Sequence, residues 1–177
     1  KDRMFLIERS FGFKADVRVD HRLRSPLLEC GAILDVGCYP LSMSKLIAGH
    51  LQGTAFAEPQ SISATGRFDA TGVDLQSDAH LIFSESIEAK ISCAIDEELS
   101  NQLVIASGEV SITVPQPWHC GQFQGGQSSI TIVNESGLVE EILCDDQIGL
   151  FTREIEHASS CILDQKIESR FISHTDT

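Results

Sequence analysis

Hydrophobic and polar positions alternate over much of the chain. Phe5, Ile7, Phe11 and Phe13 fall on one parity, with Glu8, Ser10 and Lys14 on the other. Side chains of an extended chain point alternately to opposite faces, so this stretch predicts a half-buried strand. Ile87, Ala89, Ile91, Cys93 and Ile95 repeat the pattern against Glu88, Lys90, Ser92 and Ala94. Val110, Ile112 and Val114 alternate with Ser111 and Thr113, and Ile130 and Ile132 sit among Ser129, Thr131 and Val133. Such sheets keep one face wet or separately covered and are usually antiparallel. Gly108-Glu109 suits a two-residue hairpin with glycine first, and Asn134-Glu135-Ser136-Gly137 is a second turn cluster. Pro115 and Pro117 cannot donate to a ladder, so the chain must leave the sheet there. Trp118 to Gln127, with Gly121, Gly125 and Gly126, reads as a long loop of the kind that often carries function.

Two stretches change period. Ile148, Phe151, Ile155, Ala158 and Ile162 recur at helical spacing and form one apolar stripe. The other predicted helix runs roughly over 31–48 and stops near Gly49. Pro40 lies in its middle, removes a backbone donor, and should kink the helix or restart it near Tyr39. The architecture expected is α+β, a mostly antiparallel open sheet with helices on one face. No glycine-rich turn joins a strand to a helix. Gly121 and Gly125-Gly126 follow a proline-broken loop, so they do not form a dinucleotide fingerprint.

Composition narrows the partners. The 177 residues are 42% hydrophobic and 22% charged, enough for one domain with a true core. Acids outnumber bases 26 to 13, for a formal charge of −13. That balance argues against nucleic acid and against anionic membrane surfaces as partners. Neither a signal-peptide pattern nor a bilayer-length apolar run is evident. The six cysteines, Cys30, Cys38, Cys93, Cys120, Cys144 and Cys161, contain no C-x-x-C pair. They read as reduced, mostly core residues of a cytoplasmic protein. His119-Cys120 is the only adjacent metal-capable pair, too few ligands for zinc, so no metal is expected.

Residues 29–42, Glu-Cys-Gly-Ala-Ile-Leu-Asp-Val-Gly-Cys-Tyr-Pro-Leu-Ser, concentrate the chemistry. Asp35 and Tyr39, four apart, share a face if the segment is helical. A phenol both donates and accepts, and passes a proton to or from a substrate oxygen; a nearby carboxylate fixes orientation. Gly31 and Gly37 permit close approach of a ligand or of backbone. Arg22 and Arg24, on the loop upstream, suit an anionic group. The same residues also fit ordinary roles. An Asp near a helix start caps it, and a helical Tyr often packs in a core with its hydroxyl satisfied.

The run from Gly31 to Ser42 resembles a motif of the glucose–fructose oxidoreductase and inositol dehydrogenase family, Gfo/Idh/MocA. The tyrosine version is similar to the glucose–fructose oxidoreductase and dimeric dihydrodiol dehydrogenase branch; other branches carry histidine there. Arg22-Leu23-Arg24-Ser25-Pro26-Leu27 resembles the family's approach to this helix, and Thr71-Gly72-Val73-Asp74 the start of one of its strands. Gln102 to Pro117 resembles its hairpin, and Phe151 to Glu156 its late helix. The resemblance implies that 1–177 is a single substrate-binding and oligomerisation domain, shorter at both ends than the family's C-terminal half. In the family a Rossmann domain precedes it and binds NAD or NADP. That domain also carries a Glu-Lys-Pro lysine that would lower the tyrosine's pKa or share the proton transfer. Tyr39 then falls on the catalytic tyrosine and Asp35 on its partner. Arg22 or, equally, Arg24 falls on a substrate contact. The implied substrate is a sugar, polyol or diol, the hydride carrier is the nicotinamide, and the implied assembly is a homo-oligomer formed through the open sheet face. Without the dinucleotide domain, these residues alone should be inactive.

Glu29 and Cys30 stand where the family often has glycine. That departure supports an alternative, a redox-silent family member acting as a binding or dimerisation module. A third reading is an unrelated sheet module that dimerises through an open face rich in Ile and Val. There, Asp35 and Tyr39 would lie in a core and not in a cleft.

Overall fold

The computed structural model describes residues 3–15, 18, 20–28, 30–119, 126–146, 148–149 and 151–176. Glu29, Cys120, Gly121 and Gly125, singled out in the sequence, lie outside the described residues. Eight strands form one sheet: β1 (Phe5–Gly12), β2 (Ser61–Phe68), β3 (Asp74–Ser84), β4 (Ile87–Ala94), β5 (Gln102–Ser107), β6 (Val110–Pro115), β7 (Gly126–Val133) and β8 (Val139–Asp146). Their spatial order is β2-β3-β4-β1-β5-β6-β7-β8. Only the β1–β4 pair is parallel; every other neighbour is antiparallel. This is the expected α+β open sheet, with helices α1 (Cys38–Gln52) and α2 (Thr152–Leu163).

The predicted alternation is realised in the sheet. Ile7, Phe11, Ile87, Ala89 and Cys93 are buried on the face covered by α1, while Glu8 and Lys90 stand opposite each other on the open face. Ile7, Leu81, Phe83, Ala89 and Leu103 form a core with Ala48 of α1. Each large apolar side chain so buried contributes about 1.5–3 kcal/mol. A second cluster, Phe11, Leu23, Ala32, Val36, Ile95 and Trp118, lies nearer the chemistry. The β5–β6 hairpin turns at Gly108, whose φ of 62° is the positive value that a two-residue turn with glycine first needs. At the β7–β8 turn, Gly137 has φ of 74°, and the Asn134 side chain accepts from the backbone N–H groups of Ser136 and Leu138.

Two expectations need correction. The first helix begins with a π-helical turn, Ile33–Gly37, and α1 continues to Gln52, with Gly53 at φ 79° as its left-handed cap. Gly49 does not end it. A Cβ there would lie 2.7 Å from the Phe56 backbone, so glycine admits the returning chain. Pro40 is the third residue of α1, inside its first turn, and the change from π- to α-helix at Cys38 matches the restart expected near Tyr39. Of the five described cysteines, all free, only Cys93 is buried; Cys38 and Cys144 are exposed. The stripe of α2 is largely exposed, with Ile155 64% and Ile162 74% exposed. No helix of the described residues is long and apolar enough to cross a membrane.

Candidate active site

The π-helical turn and the first turn of α1 present Asp35, Val36 and Tyr39 to a cleft of about 550 Å³. The end of β1 supplies Phe11, Gly12 and Phe13, the β4–β5 loop Glu98 and Asn101, and the segment after β6 Gln116 and His119. Tyr39 is 47% exposed, so the pair lies at an open cleft rather than in a core. Its ring meets Phe11 edge-on at 5.4 Å and lies 6.1 Å from Trp118, which stacks on Phe11. Trp118 is held there because its indole N–H donates to the Ser10 carbonyl at 2.7 Å. Asn101 has φ of 52°; its amide accepts from Gly12 N–H at 2.7 Å and donates to Gly12 O at 2.9 Å, fixing the loop against β1.

The helix start is built by Asp74. Its carboxylate accepts from Ile33 N–H at 2.8 Å and from the Ser77 hydroxyl at 3.2 Å, satisfying donors that a helix N-terminus leaves open. A Cβ on Gly31, at φ 149°, would lie 2.0 Å from Asp74 Oδ1, and one on Gly37 3.0 Å from Cys93 Sγ. Both glycines therefore serve close packing of the protein on itself.

Asp35 and Tyr39 share the cleft, but the hydrogen-bond partner of Asp35 is Arg22. Arg22 Nη1 donates to Asp35 Oδ1 at 2.9 Å, and the carboxylate is 16% exposed. Arg24 is placed differently. Its Nε donates to Asp69 Oδ2 at 2.9 Å, and its carbonyl accepts from the Thr71 hydroxyl. Arg24 thus ties the approach loop to the β2–β3 turn, while Arg22 reaches the cleft's edge.

Burial, then the charges of Cys38, Glu154 and Asp35, raise the pKa of Tyr39 above the usual phenol value. Sequence reasoning missed Glu98, Asn101, Gln116 and His119 as residues lining the cleft. The long loop after Pro117 was the one available signal, for His119; the others arrive by non-local packing. Among the described residues, no group of three His, Cys, Asp or Glu side chains is arranged to hold a metal.

No protein-family model matches the chain. Over 90 residues it is 28% identical to trans-1,2-dihydrobenzene-1,2-diol dehydrogenase of Sus scrofa, covering 51% of this chain and 25% of that protein. An aldose–aldose oxidoreductase from Caulobacter crescentus superposes with a TM-score of 0.73 at 18% identity, over 99% of this chain and 49% of that one. A 3-ketoreductase from Actinomadura kijaniata, in complex with NADP and TDP-benzene, gives 0.72 at 16% identity, over 90% and 46%. UDP-N-acetylglucosamine 3-dehydrogenase from Acidithiobacillus ferrooxidans gives 0.57 at 17% identity, over 93% and 46%. The chain thus spans about half the length of the structures it matches. In fold the chain is similar to oxidoreductases of the Gfo/Idh/MocA type, and over about half of its length it is similar in sequence to a dihydrodiol dehydrogenase.

Proposed function

We propose that this chain is the substrate-side domain of an NAD(P)-dependent oxidoreductase acting on a CH–OH group of a sugar, polyol or diol. The observation that carries the reading is Tyr39 at the mouth of an open cleft, which Asp35 also lines. In the reducing direction the phenol donates its proton to the substrate oxygen as hydride arrives at carbon. In the oxidising direction it accepts that proton back, which requires a cation nearby to stabilise the phenolate. The described lining residues include no lysine or arginine, so that cation belongs to another part of the protein, as does the nicotinamide site. Asp35 with Arg22 orients the reacting group, and the aromatic cluster of Phe11, Tyr39 and Trp118 forms an apolar wall. Arg24 acts by holding the approach loop. The 177 residues alone lack a phosphate-binding turn and do not turn over. The protein works in the cytoplasm as a homo-oligomer associating through the open sheet face.

The test is NAD(P)-linked turnover of sugars, polyols and diols by the intact protein and its Tyr39→Phe variant. The variant should lose ~10²-fold or more in kcat with cofactor affinity unchanged. Equal rates would remove Tyr39 from the mechanism. The redox-silent reading would be favoured if the intact protein binds NAD(P) and such ligands without turnover.

A further inference from the structure

The polar groups that line the cleft divide into committed and free ones. Asp35 accepts from Arg22 at 2.9 Å. Asn101 is occupied with Gly12, and its amide also donates to Glu98 at 3.4 Å. The Tyr39 hydroxyl, the Gln116 amide and the His119 ring line the same cleft without a hydrogen-bond partner among the described residues. Gln116 and His119 come from one turn after β6, closed by the His119 N–H donating to the Gln116 carbonyl at 3.3 Å. Between them, buried Trp118 pins the turn by stacking on Phe11 and donating to the Ser10 carbonyl. Gln116 has φ of 51°. That region is unfavourable for a residue with a side chain, and a residue before proline is pushed towards extended backbone. Strain of this kind persists where the surroundings impose it, and it gathers at ligand sites. His119 meets Phe11 edge-on with centroids 5.4 Å apart, as Tyr39 does on the same ring. A molecule in the cleft that reaches the Tyr39 hydroxyl is therefore within reach of the His119 ring.

We infer that Gln116 and His119 are specificity-determining residues: they hold a second oxygen of the substrate while Tyr39 acts on the first, and so select the carbon that reacts. The assignment rests on the oxidoreductase reading above. A neutral imidazole and a primary amide each offer both a donor and an acceptor. The pair therefore binds a second oxygen whether it is a hydroxyl or a carbonyl. Trp118 and Phe11 fix the turn relative to the tyrosine, so a substrate is aligned for reaction only when its second oxygen lies at the matching separation. One hydrogen bond of ordinary strength changes binding by about tenfold. Site groups left unpaired when that oxygen is missing add to the discrimination. Both residues are exposed, so their side chains can be replaced without opening the core.

The experiment measures NAD(P)-linked kcat/KM of the intact protein for diols and polyols and for matched mono-alcohols that lack the second oxygen, such as a cyclohexanediol and cyclohexanol. Gln116→Leu, His119→Leu and His119→Asn are compared with the wild type. The wild-type protein should favour the diol by about tenfold or more. Each leucine variant should lose most of that preference through the diol's KM, while the mono-alcohol falls much less. His119→Asn, which keeps an N–H donor, should restore part of it. On an unsymmetrical polyol the leucine variants should also oxidise more than one carbon. A wild-type protein that handles diol and mono-alcohol alike, or variants that weaken both equally, overturns the inference. Calorimetric binding of the same pairs separates it from the redox reading. A diol preference in binding that His119→Leu abolishes, without turnover by the intact protein, keeps the inference and defeats the redox reading. Turnover that depends on Tyr39, with a diol preference indifferent to both side chains, defeats the inference and keeps that reading.

Discussion

At Asp69 two opposed effects meet in one side chain. Burial alone would raise its carboxyl. Hydrogen bonds from the Thr71 hydroxyl, Arg24 and the backbone N–H groups of Thr71 and Val73 outweigh that and hold it at about 2, against an ordinary 3.8. The side chain is 3% exposed, so solvent screens little of this. A folded-state value below the unfolded one gives stability that is fully present above about pH 4. It is lost as pH falls through 3.8 towards 2. Asp69→Asn should therefore destabilise the protein at pH 7 by about 2 kcal/mol, the order of that gap, and by less at pH 3. Denaturant unfolding at the two pH values checks this; equal losses would show that the carboxylate's charge is not the cause. Asp69 had no signature in the sequence, because both the turn that presents it and the arginine that meets it are remote. Asp35 and Tyr39 were legible, since a known motif names them, but their partners were not.

Among the elements, the π-helical turn ahead of α1 decides where the chemistry points. It starts on Gly31 and Asp74, and it hands over to α1 at Cys38, two residues before Pro40. The Pro40 carbonyl receives two donors, the Ser44 hydroxyl at 2.8 Å and buried Arg9. Arg9, 4% exposed, leaves Nε and Nη2 without partners, and burial lowers its proton affinity. A cation so placed joins the central strand to the helix that carries Tyr39. Its alternating position in β1 resembled an apolar one, and nothing local marked it as charged inside. Gly31→Ala should break this start, because its Cβ would occupy the Asp74 carboxylate's place and because alanine is strained at φ 149°. The expected loss is at least ~2 kcal/mol in unfolding free energy. Combining it with Asp74→Ala, which removes the clashing group, should cost less than the sum of the single changes. Additive losses would place the damage in backbone strain alone.

Across the whole molecule, the open sheet face is largely polar, unlike the Ile- and Val-rich face of the unrelated-module reading. A trough of about 630 Å³ there is lined by Ser10, Asp78, His80, Lys90 and Ser92 among others. Lys90 lies between Glu8 on β1 and His80 on β3, and His80 Nε2 is 2.7 Å from Glu88 Oε2. Association through such a face would be hydrated and electrostatic rather than an obligate apolar seam. If copies pair there, Lys90→Glu should dissociate them in sedimentation velocity, and raised salt should weaken the native assembly. An oligomer indifferent to both must use another surface. The far end of the chain also closes on the fold. His157 Nε2 lies 2.8 Å from Ser169 Oγ, and Lys45 of α1 donates to the Asp176 carbonyl at 2.9 Å.

Period-two runs determined β1, β4, β6 and β7 from the sequence alone. β1 and β4 bury one face under α1, which imprints alternation on their sequences, whereas β6 is of intermediate burial nearly throughout. Edge strands escaped. In β2 every residue of Ser61–Phe68 is exposed, and β8, with Glu140, Glu141, Asp145 and Asp146, alternates poorly, because an edge contacts neighbours on one side only. The Asp35–Tyr39 spacing was local and therefore readable. Only the tertiary structure decided that Asp35 pairs with Arg22, that Arg24 goes to Asp69, and that Glu98 and His119 line one cleft with the tyrosine. Those contacts join segments distant in the chain, and no residue pattern within either segment specifies its partner; sheet order and helix packing do.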